Sequence, residues 1–164
     1  MFKKTILATF ILFLLIIVAI IPETKALTFE ELPVKQTSKQ WSVQIDKADQ
    51  GKGLAKPEKG KFHTYSLEVN NIGKDVFSAE VNLFRNEPNS RTKFSLVGCP
   101  DGEDCNKNHY AIAKSRAKPM NNGIPYKFTN FLLAEKATEL EVEIVWTEDS
   151  SGRPLKETFT FTAE

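Results

Sequence analysis

Cysteine and histidine are scarce: the chain holds two of each in 164 residues. That excludes a multi-cysteine zinc module and leaves few ligands for transition-metal chemistry. An excess of one charge is missing too. Twenty-two basic residues stand against 21 acidic ones, a net of +1, so nothing in the overall balance draws the chain to nucleic acid. A G-x-S-x-G elbow, a P-loop and a dinucleotide fingerprint are all absent, as is any internal repeat. What remains is the composition of a folded chain, 41% hydrophobic and 26% charged. Its length suits one domain with a single core.

One long apolar run exists, and it lies at the start. Lys3 and Lys4 precede Ile6 to Ile21, sixteen residues without a charge, and Pro22 ends any helix there. Thr24 and Ala26 put small residues at the minus-three and minus-one positions of a cleavage after Ala26. A basic start, an apolar centre and a small-residue exit are the layout of a secretory signal. No cysteine lies near the exit to accept a lipid. A second reading, an uncleaved anchor, also stands: sixteen helical residues reach about 25 Å, just short of a hydrocarbon core. Residues 1–26 are therefore a signal peptide or an N-terminal membrane anchor. Both readings keep the lysines inside and place the rest outside the cytoplasm, secreted or held at the membrane. That remainder carries 19 basic and 20 acidic residues.

Residues 27–40 are polar and weakly periodic, and are expected to form a linker; Thr28 and Glu31 have the spacing of one capped helical turn. From residue 41 onward, alternation with period two takes over. Trp41, Val43 and Ile45 alternate with Ser42, Gln44 and Asp46. The same rhythm runs through Tyr65–Val69, Phe77–Leu83, Phe94–Leu96, Leu140–Trp146 and Leu155–Phe161. Such alternation marks strands with one buried and one wet face. Asn70-Asn71-Ile72-Gly73, Asn86–Ser90 and Asp149–Gly152 are turn formers between them. The pattern predicts an all-β fold over 41–164: an antiparallel β-sandwich of about seven strands, immunoglobulin-like in its spacing. Lys47 to Lys61, rich in Lys and Gly, reads as a mobile surface loop. Asn106 to Asn122 is irregular, and Tyr126 to Leu133 is apolar on both phases.

Leu67-Glu-Val-Asn-Asn-Ile-Gly73 followed by Val81-Asn-Leu83 resembles the strand, N-x-G turn, strand pattern of bacterial extracellular immunoglobulin-like domains of the CARDB kind. Thr138 to Trp146 with Thr158 to Phe161 resembles their last hairpin. The resemblance covers roughly Trp41 to Thr162 and implies a binding or spacer unit. The antibody-type pair of distant cysteines around a buried Trp is not present.

Candidate chemistry is sparse. Cys99 and Cys105 enclose five residues, and outside the cytoplasm a disulfide is their expected state; reduced thiols are the alternative. Their spacing is not the C-x-x-C of a redox pair. Asp101, Glu103 and Asp104 do not follow the calcium-loop order and read as a solvated turn. His63 falls on the core side near a strand start, and His109 follows the cysteine loop. No metal, cofactor or catalytic residue is assigned. A small secreted enzyme or metal-handling protein built on the Cys99–Cys105 loop and His109 is the alternative function.

Charge placement says more. Residues 106–134 hold five bases (Lys107, Lys114, Arg116, Lys118 and Lys127) and no acid, whereas residues 135–149 hold six acids. Glu139, Glu141 and Glu143 form a row on one wet face. One reading is solubility and edge protection. The other is contact between the basic residues and an anionic envelope component, such as lipid head groups or a wall polymer. The expected function is a non-catalytic extracytoplasmic binding or structural module. It acts through loops and strand edges on an envelope polyanion or a protein partner, without nucleic acid.

Overall fold

A computed structural model describes residues 26–88, 90–96 and 109–162. The leader and the Cys99–Cys105 loop, with Lys107, lie outside the described residues. Eight strands occur among the described residues: β1 (Val34–Thr37), β2 (Trp41–Lys47), β3 (Phe62–Asn71), β4 (Ser78–Arg85), β5 (Phe94–Ser95), β6 (Tyr126–Ala134), β7 (Glu139–Thr147) and β8 (Leu155–Thr162). A helix, α1 (His109–Asn121), separates β5 from β6. The strands form two four-stranded sheets, in the orders β1-β2-β3-β6 and β5-β4-β7-β8, and each neighbouring pair is antiparallel. With β1 set aside, β2-β3-β6 stand where an immunoglobulin-type sandwich has A-B-E, and β5-β4-β7-β8 where it has C′-C-F-G. The expected all-β sandwich is the fold of this chain.

Alternation explains the core. Trp41, Val43, Ile45, Tyr65, Leu67 and Val69 point inward from one sheet. Ala79, Val81, Leu83, Leu140, Val142, Ile144, Phe159 and Phe161 answer from the other, and all are buried. Trp41 and Trp146 meet edge to face across the sheets, ring centres 5.6 Å apart.

Three segments differ from the sequence reading. Residues 27–40 are not a bare linker: Val34–Thr37 pairs with β2, and Leu27 is buried in the core. This adds the eighth strand. Second, the irregular stretch before residue 122 holds α1. Ala113, Ala117 and Met120, spaced four and three apart, are its buried face. It closes in a Schellman motif: Gly123 N–H donates to Met120 O and Ile124 N–H to Pro119 O, with Gly123 at φ +76°. The helix lies mainly along β4, because β5 pairs only with Phe84 and Arg85 and leaves the rest of that edge open. Asn121 ties it down: its Oδ1 accepts from Val76 N–H and its Nδ2 donates to Val76 O.

Third, β6 carries a bulge. Leu67 faces Phe128 and Tyr65 faces Phe131, so Thr129 and Asn130 together oppose Ser66 alone. Before the bulge Tyr126 and Phe128 are the half-buried residues; after it Phe131 and Leu133 are buried. The extra residue swaps the inward phase, which is why this strand reads as apolar on both.

Two variants separate the bulge from its side chain. Asn130→Ala is expected to cost about 1 kcal/mol, one hydrogen bond. Deleting Asn130 removes the bulge but leaves Tyr126, Phe128, Phe131 and Leu133 in one strict alternation, so the core face is kept; it is expected to cost about 2 kcal/mol, for the Asn130 contact and the Thr129 O bond to the loop that the bulge makes possible. Denaturant unfolding of the two variants measures the difference.

Candidate functional site

The bulge also positions a loop. Thr129 O accepts from Asp49 N–H at 2.9 Å, and Asn130 Nδ2 donates to Ala55 O at 3.0 Å. Ser66 Oγ, opposite the bulge, donates to Lys47 O at 2.8 Å. The segment expected to be a mobile surface loop, Lys47–Lys61, is thus fastened to its sheet on one side. With Leu32 and Thr64 it lines a cleft of about 530 Å³. Leu32, Leu54 and Pro57 give the cleft an apolar lining, while Lys47, Asp49, Gln50, Lys56 and Thr64 supply its polar groups.

Ion pairing separates the lysines into two groups. Lys61 meets Glu58 at 2.6 Å, Lys127 meets Glu68 at 2.9 Å, Lys136 meets Glu87 at 2.9 Å, Lys156 meets Glu143 at 3.0 Å, and Lys93 meets Glu141. Lys47 and Lys56 have no ion-pair partner among the described residues. Lys52 and Lys59 stand on the same loop.

Of the five bases of residues 106–134, Lys107 lies outside the described residues and the other four do not share one face. Lys114, Arg116 and Lys118 are on α1, but 114 and 116 project to opposite flanks of the helix. The Lys114 ammonium lies 4.6 Å from the centre of the Phe77 ring, and the Arg116 guanidinium 4.4 Å from that of Tyr126. Lys118 is exposed in the last turn. Lys127 is on β6, where Glu68 and, more weakly, Asp49 of the cleft hold its ammonium above its usual pKa. Neither Lys127 nor the helix residues line the cleft.

The acidic row is real: Glu139, Glu141 and Glu143 lie on the outer face of β7. Lys93 and Lys156 answer two of them. Burial, then Glu141, pushes the Glu139 carboxyl up. The histidines are apart. His63 Nε2 stands 3.9 Å from Glu135 and His109 Nδ1 3.7 Å from Glu80. Among the described residues no three acids, histidines or cysteines gather as metal ligands.

The chain belongs to the YozF-like secreted protein family, whose model matches residues 25–164. It is 49% identical over 140 residues to the Bacillus subtilis (strain 168) protein named "Uncharacterized protein YozF", covering 85% of this chain and 84% of that one. No solved structure matches. The family description, secreted, agrees with the extracytoplasmic placement read from the leader and names a family other than the CARDB-type modules. The cleft was missed from sequence because the bulge that anchors its loop is a matter of register; the lysine density of residues 47–61 was the visible signal.

Carboxylates make the fold acid-sensitive. The Lys127 ammonium holds Glu68 below its usual range, Lys136 and then Arg85 do so for Glu87, and the Ser151 backbone N–H does so for Asp149. A depressed folded pKa gives stability that is present above the unfolded value, about pH 4, and is lost as pH falls through the folded one. Glu139, raised, acts in the opposite sense. The melting temperature is expected to fall as pH drops from about 5 to 3, and Lys127→Met is expected to flatten that slope. Thermal melts against pH measure both.

Proposed function

We propose that this secreted domain is a non-catalytic binding module that takes an anionic envelope component in the cleft beneath the Lys47–Lys61 loop. The observation that carries the reading is the pair of uncompensated cations, Lys47 and Lys56, on the rim of a 530 Å³ cleft. The cleft lining to which they belong holds one carboxylate, Asp49. An anion there gains two charge-assisted contacts, and Leu32, Leu54 and Pro57 accept the apolar part of a polymer unit. The resemblance to CARDB-type extracellular modules supports a binding role, because such domains serve as binding or spacer units. Binding at a loop on a rigid sandwich fits the general placement of recognition on this fold.

The test uses long-chain polyphosphate as probe, titrated against the protein at two salt concentrations. Binding is expected to weaken with salt, and Lys47→Glu with Lys56→Glu is expected to weaken it ten-fold or more. Lys114→Ala with Arg116→Ala and Lys118→Ala is expected to change it less than two-fold. The opposite ranking moves the site to α1. Binding indifferent to salt and to both sets, or no binding, overturns the reading.

A further inference from the structure

Leu27, the residue just after the expected cleavage point, is a core residue with 1% exposure, while Ala26 before it is exposed. Leu27 N–H donates to Ala137 O at 2.6 Å, on the turn between β6 and β7. Two residues on, Phe29 is clasped by both sheets: its ring meets Tyr65 edge on at 5.0 Å and Phe161 at 6.0 Å. The register of residues 27–29 is therefore set by three separate parts of the sandwich. An endopeptidase holds several residues on each side of its target bond extended in a groove. The Ala26–Leu27 bond meets that demand only with Leu27 withdrawn from the core.

We propose that Ala26–Leu27 is a processing bond gated by folding: it is cut while Leu27 is unseated and is shielded once Leu27 docks. Hydrolysis adds water across the amide. The hydroxyl joins the Ala26 carbonyl carbon, the C–N bond breaks, and the proton goes to the Leu27 nitrogen, leaving a carboxylate and an ammonium. The new ammonium keeps an N–H to donate to Ala137 O, so the cut chain seats as the uncut one does. The proposal stands apart from any ligand of the cleft.

The test is cleavage of the detergent-solubilised full chain by a signal peptidase, followed by intact mass. Leu27→Asp cannot bury its side chain and keeps the bond open. A synthetic peptide of residues 18–33 with each residue at position 27 normalises for peptidase preference. After normalisation the folded parent is expected to be cut at least 30-fold more slowly than L27D, the order of the penalty for exposing one buried leucine. Both products are expected to begin at residue 27. Circular dichroism checks that L27D is folded; where it is not, Leu27→Ala takes its place, with an intermediate rate expected. Equal normalised rates overturn the gating, and cleavage at another bond, or none in either chain, overturns the site.

Discussion

One extra residue in β6 governs more of this structure than any single contact. Inward and outward positions alternate along a strand, so an odd insertion exchanges the faces beyond it. In β6 that exchange delivers Phe128 on one side of the bulge and Phe131 and Leu133 on the other to the same core. The insertion also frees backbone and side-chain groups from the ladder. Thr129 O and Asn130 Nδ2 spend that freedom on Asp49 and Ala55, and so hold a lysine-rich loop above the sheet. Core packing and cleft geometry thus share one cause.

A sandwich must also deal with its edges. On one flank Gln36 Nε2 donates to Thr160 O at 2.8 Å and Ser38 Oγ to a Glu157 carboxylate oxygen at 2.9 Å, lacing β1 to β8 across the gap between sheets. On the other, α1 lies along β4. At the end away from the cleft, Gln40 reaches Asn71 and the Lys74 carbonyl. Gly73 is needed there for space: a Cβ would fall 2.9 Å from Gln40 Cα.

Much of this was legible in the residues. Period-two alternation located β2, β3, β4, β7 and β8, because each has one wet and one dry face. Leu155 is the partial exception, 41% exposed at its strand end. What escaped has a common reason, namely that it depends on partners far off in the chain. β1 is four residues long and is defined by its pairing with β2. The face of α1 is two alanines and a methionine, too small to register as a stripe, while Tyr110 and Ile112 lie exposed and blur the pattern. Leu27 reads in the sequence as the first residue of a linker, and only the sandwich gives it a pocket. The basic cluster was visible as composition, but a helix and a strand distribute Lys114, Arg116, Lys118 and Lys127 to different faces.

The two tryptophans belong to opposite sheets, Trp41 to the β2 side and Trp146 to the β7 side, and they touch between the layers. The indole N–H of Trp41 is buried without an acceptor among the described residues. Sequestered from solvent and electronically coupled to its neighbour, this pair is a native optical gauge of how tightly the layers are pressed together. Near-ultraviolet dichroism would register their parting even where every strand survived.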